Sequence, residues 1–394
     1  GVPRPGGTVA LVSITVVSPS RGGGITAWQS AVARPGTTTM QFSAGQEIVG
    51  TAAVPISASG YLNLFNASSG SVTVVVDVYG YVAPTTIPPA APSQARYAND
   101  LHNVTDDPTA ASDNAVMNGH GCADAQARAR VVLLDLGTQS KTPDKNSRPH
   151  ELGPSNPGVA LALTGSATTD PVRIQYADLV GVLSGYLDGY QRCRVDTTGV
   201  TVAIGTNNDG LYSGPTGYPA ATRGADWANL VIDPLASYAS AHSVKAAVVG
   251  ANDIEAAFSG TLAQAQQWEA AYFAATPASL IYNGDANSCP ATFGVTGATC
   301  AFGWTQAQYY ALAHNGSRTL VLPQIFFPAE AVKWADIDAT GGGGLLFIGA
   351  LTEHARVPSQ LAPDQGRAAL YRAVSSVVAN PSVTYGIDLA ADGN

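Results

Sequence analysis

Apolar and polar residues alternate with a period of two along the first 82 residues, and clusters of Gly, Ser, Asn and Pro interrupt the alternation. This pattern is typical of short antiparallel strands joined by turns. It predicts a β-sandwich over residues 1–82, in which two sheets face each other across one core. The predicted strands are Thr8–Val17, Gly24–Gln29, Thr38–Phe42, Glu47–Pro55, Tyr61–Asn66 and Ser71–Tyr79.

The composition changes after this region. Residues 83–93 read APTTIPPAAPS and lack an apolar period, which is typical of a semi-extended spacer. We therefore expect a linker over residues 83–96, between two domains. Two domains are also expected from the length of 394 residues, because single hydrophobic cores stop growing at roughly 250 to 300 residues.

Beyond the linker, short apolar runs alternate with amphipathic stretches, which predicts repeated βα units around a parallel sheet. The predicted strands are Val131–Leu136, Val200–Gly205, Val244–Gly250, Ser279–Tyr282, Thr319–Pro323, Gly344–Gly349 and Ser382–Ile387, with an eighth placed at Val159–Thr164. The predicted helices between them include Tyr176–Gln191, Asp226–Ala241, Leu262–Ala275, Thr305–His314, Glu330–Ile337 and Gln365–Val378.

We expect residues 97–394 to form a (β/α)-barrel of the TIM type with one irregular unit. A Rossmann sheet is less favoured, because no Gly-x-Gly-x-x-Gly motif follows the first predicted strand. In barrels of this type the reactive groups lie where the strands end. Candidate functional residues are therefore expected just beyond each apolar run.

Polar residues do follow the predicted strands. Three carboxylic acids are predicted to be catalytic: Asp135, Asp253 and Glu255. Six more residues are predicted substrate contacts: Asn207, Asn252, Tyr282, Asp285, Gln324 and Glu353. Carboxylates and amides at one mouth suit the hydroxyl groups of a sugar, and four aromatic residues are candidates for stacking on its ring faces: Trp227, Trp268, Trp304 and Tyr212.

The catalytic hypothesis depends on the spacing of Asp253 and Glu255. Residues two apart on an extended strand point the same way, so both carboxylates are expected to face the mouth, where their repulsion raises one pKa. Glycoside cleavage requires a protonated carboxylic acid and an ionised carboxylate. Simpler roles are also open: Asp253 as a helix N-cap, and Glu353 with His354 as an ion pair in a loop.

The first 82 residues resemble a module that recurs in exported actinobacterial proteins. The resemblance rests on Ile25-Thr26-Ala27-Trp28, Arg34-Pro35, the segment from Gly60 to Asn66 and the segment from Val75 to Tyr81. It implies an accessory role for this domain, such as attachment or proximity to a substrate.

The second domain resembles the barrel-type glycoside hydrolases, including the lysozyme-like ones. The resemblance rests on Asp135 at the end of the first strand and on Asp253-Ile254-Glu255 at the end of a middle strand. It implies that Glu255 is the general acid, that Asp253 positions or stabilises it, and that Asp135 is a second carboxylate. It further implies that Asn207 and Tyr282 contact the substrate.

The charge and composition of the chain argue against nucleic acid and membranes as binding partners. The net charge is −9 and no basic run is present, so neither nucleic acid nor an anionic membrane surface is expected as a partner. No apolar stretch approaches the roughly 20 residues that span a bilayer, so no membrane insertion is expected. The chain begins at Gly1 without an apolar leader, which is expected of a mature secreted protein, extracellular or associated with the cell wall.

The cysteines agree with export. Cys122, Cys193, Cys289 and Cys300 have no CxxC spacing, so two disulfides are favoured over a zinc site. Three pairings are open, of which loop length favours Cys289 with Cys300 and Cys122 with Cys193. The six histidines are dispersed along the chain, so no metal and no cofactor is expected.

The leading hypothesis is a secreted glycoside hydrolase that acts on a polysaccharide or cell-wall glycan by carboxylate acid/base catalysis. The main alternative is a non-catalytic carbohydrate-binding or cell-surface protein on the same scaffold. A serine esterase is less favoured. The segment from Gly205 to Asp209 is similar to the Gly-x-Asn-Asp block of flavodoxin-like esterases, but no Gly-Asp-Ser block lies near the first strand.

Overall fold

A computed structural model describes residues 9–30, 32–56, 61–82, 90–97, 111–141, 155–160, 173–209, 218–258, 260–286, 289–378 and 381–390. The chain divides into two compact units, Gly1–Thr86 and Ile87–Asn394. The division falls within the stretch predicted as a linker. Among the described helices, none combines the length and the apolar character that crossing a bilayer would require.

The N-terminal unit consists of two antiparallel three-stranded sheets. Their strand orders are β4-β1-β6 and β3-β2-β5, and the strands are β1 Val9–Val17, β2 Gly23–Gln29, β3 Met40–Phe42, β4 Ile48–Pro55, β5 Leu62–Asn66 and β6 Thr73–Val82. Every second residue of β1 is buried, which is the alternation visible in the sequence. Val12 and Ile14 of the first sheet share a core with Ile25 and Phe42 of the second. The prediction of an all-β N-terminal region is confirmed.

The C-terminal unit is an α/β structure. Its strands are β7 Ser93–Tyr97, β8 Val131–Ser140, β9 Gly158–Ala160, β10 Arg173–Gln175, β11 Val200–Asn207, β12 Ala246–Asp253, β13 Leu280–Tyr282, β14 Thr319–Val321, β15 Gly349–Thr352 and β16 Tyr385–Ala390. Its helices are α1 Ala111–Gln126, α2 Tyr176–Cys193, α3 Ala220–Trp227, α4 Asp233–Ala241, α5 Leu262–Ala275, α6 Gln306–Ala313, α7 Pro328–Thr340 and α8 Pro363–Val374. A π-helical turn, Ala228–Ile232, joins α3 to α4.

The main sheet of this unit is parallel. Its strand order is β14-β13-β12-β11-β8-β7-β16-β15, and every neighbouring pair runs in the same direction. Strands β9 and β10 form an antiparallel extension at the end of β8. Two isolated parallel bridges connect the outermost segments, Val321 with Phe347 and Gln324 with Leu351. A C-terminal α/β region with a parallel sheet was predicted and is confirmed.

Several predicted elements differ from the structure, among them the predicted helix Asp226–Ala241, which is interrupted by the π-helical turn. Strand β7 occupies Ser93–Tyr97, most of which was predicted as linker. The segment predicted as an eighth parallel strand, Val159–Thr164, is described only as far as Ala160, and the described part pairs antiparallel with β8 and β10. Strand β15 begins at Gly349, where the predicted strand ends. Gly344, the first residue of the predicted strand, still belongs to the turn after α7, in which Gly342, Gly343 and Gly344 have positive φ. Phe347 forms only an isolated bridge with Val321.

The two faces of the parallel sheet carry different apolar residues. One face carries a compact group that we call the inner layer, which includes Leu133, Ala203, Ala251, Ile281, Leu322 and Leu351. The residues between them, such as Val132, Leu134 and Val202, pack with the helices. Side chains alternate between the faces of a strand, so the inner layer identifies the face on which each strand-end residue lies.

The four cysteines form the disulfides Cys122–Cys193 and Cys289–Cys300, as predicted from loop length. The first joins α1 to α2, whose backbones are in close contact. A Cβ atom added to Gly189 of α2 would overlap the main-chain oxygen of Asn118 in α1, whereas one added to Gly181, in the same helix, would meet no atom within 4 Å. The approach of α1 to α2 therefore requires glycine at position 189 but not at position 181.

Substitution of these two glycines should have opposite effects on stability. Alanine in a helix is favoured over glycine by about 1 kcal/mol, so Gly181→Ala should raise the free energy of unfolding. Gly189→Ala should lower it by about 1–3 kcal/mol, because the added methyl group forces the helices apart. Urea denaturation of both variants measures the difference. Equal effects at the two positions would contradict the close packing.

Candidate functional site

Five polar residues stand on the sheet face that carries the inner layer. Each lies two positions beyond a member of that layer, and they are Asp135, Asp253, Asn283, Gln324 and Glu353. Residues two apart on a strand share a face, and the carboxyl ends of parallel strands lie at one edge of the sheet. The polar side chains of Asp253, Asn283, Gln324 and Glu353 therefore lie where the inner layer ends. Asp135, which was predicted to end its strand, lies instead within β8, because that strand continues to Ser140.

Gln324 connects two of the predicted catalytic residues. Its Nε2 donates hydrogen bonds to Oδ1 of Asp253 (2.9 Å) and to Oε1 of Glu255 (3.0 Å). Two oxygens at these distances from one nitrogen are at most about 6 Å apart. The carboxyl groups of Asp253 and Glu255, which we call the acid pair, are also hydrogen-bonded to each other. Such a bond requires a proton on one of the two groups, and because it lowers the pKa of Glu255, Asp253 is the donor.

Burial and neighbouring charges hold this proton at neutral pH. Burial raises the pKa of Glu255 to about 7, and the charge of Asp285 adds to the effect, while hydrogen bonds with Gln324 and Asp253 oppose it. Burial also raises the pKa of Asp253 well above its ordinary value, with a further contribution from the charge of Glu255. The acid pair therefore carries less negative charge than two free carboxylates.

Asp135 lies close enough to contribute to this electrostatic environment. Its charge raises the pKa of both members of the acid pair. Asp135 is only 3% exposed, and burial raises its own pKa to about 6, opposed by a hydrogen bond from the main-chain N–H of Gly137 (3.4 Å). The register of β8 with β11 shifts just beyond Asp135, which makes a bulge at Leu136 and Gly137.

Asp285 and Glu353 complete a group of five carboxyl groups, which we call the acidic cluster together with Asp135 and the acid pair. Both raise the pKa of Asp253 by their charge. Glu353 is 6% exposed, and its Oε2 lies 3.0 Å from the guanidinium of Arg356. The ring of His354 instead faces the main-chain oxygen of Gln360, at 2.8 Å from Nδ1. Glu353 therefore forms an ion pair with Arg356.

Asn207 is partly buried beside the acid pair, since it is the β11 partner of Asp253. Its Oδ1 accepts hydrogen bonds from Oγ1 of Thr138 (2.8 Å) and from the main-chain N–H of Asp209 (3.1 Å). Asn207 thus lies at the predicted place, and its side-chain oxygen is used in shaping the end of β11.

Two predicted substrate contacts lie on the other face of the sheet. Asn252 is 1% exposed and stands between Ala251 and Asp253, which belong to the inner face. Tyr282 is fully buried, packs edge-on against Trp334 of α7, and donates its hydroxyl to the main-chain oxygen of Ile254 (2.8 Å). Both side chains point toward the helices, so we leave them out of the proposed substrate site.

The predicted stacking tryptophans are also buried. Trp227 and Trp268 are fully enclosed and Trp304 is 4% exposed, so no ring face of these residues is open to a sugar. Tyr212 lies outside the described residues.

Asn208 and Asn283 follow predicted strands but were not among the predicted site residues, and Asn208 was interpreted as either a turn residue or a ligand. Asn208 is fully buried and forms two hydrogen bonds with the main chain of Glu255. Asn283 is fully buried on the inner face, and neither atom of its amide has a hydrogen-bond partner among the described residues. The position of Asn283, two beyond Ile281, was the available signal for this residue. No local signal marks Asn208, because its partner is 47 residues away.

Within the described ranges, no group of three or more His, Cys, Asp or Glu residues has the arrangement of a metal site. A cavity of about 450 Å³ is lined by residues such as Tyr176 and Leu230. Another, of about 510 Å³, is lined by residues of the N-terminal unit such as Gln41 and Phe42. Neither is lined by the acidic cluster. The acid pair is the candidate site because its hydrogen bonding and raised pKa values supply chemistry that the cavities lack.

The raised pKa values predict a stability that falls as the pH rises. A carboxyl group with a higher pKa in the folded than in the unfolded state favours folding most below its unfolded value of about 4. This stability is lost as the pH rises through the folded value, about 7 for Glu255. Glu255→Gln keeps the oxygen that accepts from Gln324 but does not ionise. We expect its advantage in free energy of unfolding over the wild type to be larger at pH 8 than at pH 5, by roughly 1–2 kcal/mol, as measured by urea denaturation.

Glu47→Gln is the control for this measurement, because Glu47 is exposed on the N-terminal unit. Its stability relative to the wild type should not change between pH 5 and pH 8. If Glu255→Gln also showed no change between these pH values, the electrostatic description of the acid pair would be wrong.

Comparison with known proteins gives no family. No protein-family model matches the chain, and no curated protein matches it. A GH26-CBM35 β-(1,4)-mannanase from Podospora anserina superposes with a TM-score of 0.38 and 13% identity, over 99% of this chain and 82% of that one. A cycloisomaltooligosaccharide glucanotransferase from Paenibacillus sp., complexed with cycloisomaltoheptaose, gives a TM-score of 0.31 and 8% identity, over 89% and 49%. Scores this low do not define a shared fold, so the functional argument rests on the residues of this chain.

Proposed function

We propose that this protein is a secreted enzyme of the glycoside-hydrolase type, which cleaves a polysaccharide or cell-wall glycan by carboxylate acid/base catalysis. The observation that carries the proposal is the geometry of the acid pair, in which both carboxyl groups accept a hydrogen bond from Nε2 of Gln324 at the carboxyl ends of a parallel sheet. A carboxylic acid that stays protonated near neutral pH is what protonation of a glycosidic oxygen requires.

We further propose that the parallel sheet closes into a (β/α)-barrel. Support comes from the strand order, which follows the chain from β7 through β8 and β11 to β16, with β16 next to β7. The parallel bridges between Val321 and Phe347 and between Gln324 and Leu351 support closure at the remaining position. In a closed barrel the inner layer is the packed interior, and the acidic cluster is at the mouth formed by the carboxyl ends of the strands.

In this proposal Glu255 is the general acid and transfers its own proton, which it holds below about pH 7. Asp253 is its partner in positioning and stabilisation. The direct hydrogen bond within the acid pair leaves no room for a sugar between the two carboxyl groups. Acid and nucleophile or base stand at least about 5 Å apart in such enzymes, so Asp253 does not serve as the opposing carboxylate. Asp135 takes that role as the second carboxylate, and Asn207, Asp285, Gln324 and Glu353 remain the proposed substrate contacts.

The N-terminal unit is proposed to be an accessory module that keeps the enzyme near its substrate or attached to a surface. An extracellular or cell-wall location is supported by the two disulfides, because such bonds persist in oxidising compartments. Charged residues make up only 12% of the chain. A low content of charged residues fits the same location.

Glu255→Gln tests the role of the general acid. Its kcat on a glycan that the wild type cleaves should fall by about 10²- to 10⁴-fold, because the amide N–H is far too weakly acidic to protonate the leaving oxygen. Release of reducing ends from a panel of polysaccharides measures the activity, and a binding assay on the same panel measures affinity, which we expect to be retained.

Glu269→Gln is a matched control. Glu269 of α5 is also a buried glutamate whose pKa is raised, to about 8, but by burial alone. This variant should keep wild-type turnover. A wild-type protein that binds glycans and releases no reducing ends, with affinity unchanged in Glu255→Gln, would instead establish a non-catalytic carbohydrate-binding protein.

The proposed roles also predict a bell-shaped dependence of kcat/KM on pH. Activity requires Asp135 ionised and Glu255 protonated, so it should decline below about pH 6 and above about pH 7. The two limbs report on the coupled cluster as a whole. Asp135→Asn should abolish most of the activity at every pH, and a profile that stays level up to pH 9 would exclude Glu255 as the acid.

A further inference from the structure

The main chain around Glu255 continues beyond the end of the regular sheet. Strands β11 and β12 pair as far as Asn207 and Asp253, and β12 ends at Asp253. The main-chain N–H of Asn208 still donates to the oxygen of Asp253 (3.2 Å). Glu255 therefore belongs to a segment that has left the ladder, where the sheet itself no longer fixes its side chain.

The side chain of Asn208 replaces the missing ladder on one side of this segment. Its Oδ1 accepts from the main-chain N–H of Glu255 (2.9 Å), and its Nδ2 donates to the main-chain oxygen of the same residue (3.0 Å). Both polar groups of the Glu255 main chain are thus paired by one buried amide. This paired arrangement resembles that of a neighbouring strand, which offers one donor and one acceptor to the residue opposite.

Tyr282, the last residue of β13, and Gly284, two residues beyond it, hold the same segment from the other side. The hydroxyl of Tyr282 donates to the main-chain oxygen of Ile254 (2.8 Å). A Cβ atom added to Gly284 would overlap that oxygen, so only glycine allows the β13 chain to lie so close. We call Asn208, Tyr282 and Gly284 the backbone clamp.

We propose that Asn208 and Tyr282 are positioning residues, which act through the backbone clamp to hold the carboxyl group of Glu255 against Asp253 and Gln324. Neither residue is exposed, so neither touches the substrate. The expected effect of these residues on catalysis rests on the function proposed above. The geometric part concerns the place of the Glu255 side chain and is measurable without a substrate.

Titration of Glu255 tests the geometric part. The chain contains six glutamates, so labelling with glutamate carrying ¹³C at Cδ gives a small set of carboxyl signals, and the Glu255→Gln spectrum assigns the one of interest. In the wild-type chain this signal should titrate near pH 7. In Asn208→Ala, Glu255 turns toward solvent, and its midpoint should fall by at least about one pH unit toward the ordinary value.

Tyr282→Phe keeps the packed ring and removes only the hydroxyl, so it folds readily and should shift the midpoint in the same direction by a smaller amount. Asn118→Ala is the matched control, because Asn118 also donates its side-chain amide to a main-chain oxygen, that of Gly185 (3.0 Å), but at the α1–α2 contact. It should leave the titration of Glu255 unchanged. Folded Asn208→Ala and Tyr282→Phe proteins with a wild-type midpoint would overturn the proposal, and if Asn208→Ala does not fold, Tyr282→Phe alone decides.

Kinetics then separate this proposal from the function on which it rests. With a cleaved glycan, Asn208→Ala should lower kcat about 10- to 100-fold with little change in KM, because the acid is displaced and the binding groups are not. If Glu255→Gln abolishes hydrolysis while the titration of Asn208→Ala is unchanged, the function stands and the positioning role fails. If no glycan is cleaved but the midpoint shifts, the positioning role stands and the hydrolase function fails.

Discussion

The desolvation of a group of carboxyl groups at one edge of a parallel sheet is the constraint on which the proposed site depends. In water each of these acids would be ionised at neutral pH, and five negative charges would repel one another. Burial makes ionisation costly, so the acid pair keeps a proton between Asp253 and Glu255, and the amide of Gln324 binds both. The same burial that makes the cluster costly to assemble also supplies a proton for transfer.

The scaffold tolerates this cluster because the sheet separates two environments. Below the cluster, the inner layer fills one face with small and branched apolar side chains. On the other face, large aromatic residues pack under the helices, and Trp334 and Tyr282 meet there edge-on. The strand periodicity assigns each residue near a strand end to one environment or the other, so a shift of one position along a strand separates a buried aromatic from an acid at the edge.

The sequence predicts the regular parts of this arrangement because they follow from local periodicity. All six N-terminal strands and most of the parallel strands come from alternation or from continuous apolar runs, and the spacing of Asp253 and Glu255 places them on one face. Strand β7 was missed, because Ser93–Tyr97 is polar and adjoins a proline-rich stretch. Helix α1 was not predicted, because it has no clear apolar stripe and contains two poor helix formers, Gly119 and Gly121. The structure explains Gly121, whose backbone lies in close contact with α2.

The site residues could be predicted only where the sequence also predicted the last residue of the strand that carries them. The apolar run of β12 ends at Gly250, whereas the strand continues to Asp253. The sequence alone does not show that β12 ends at Asp253 or that Ala251 lies on the inner face. It therefore does not show which of Asn252 and Asp253 shares that face. Asn208 was harder to identify, because its role is defined by a contact between different strands, and turn-forming residues such as Asn are common at strand ends for other reasons.

The dual use of Tyr282 connects two parts of the fold that are usually treated as independent. Its ring belongs to the packing under α7, while its hydroxyl fixes the main chain next to Glu255. If Tyr282 positions Glu255, substitutions at Trp334 are expected to affect the acid, even though Trp334 lies on the helical side of the sheet. Homologous chains that keep the acid are expected to vary little at this aromatic contact, so the outer core constrains the divergence of the site.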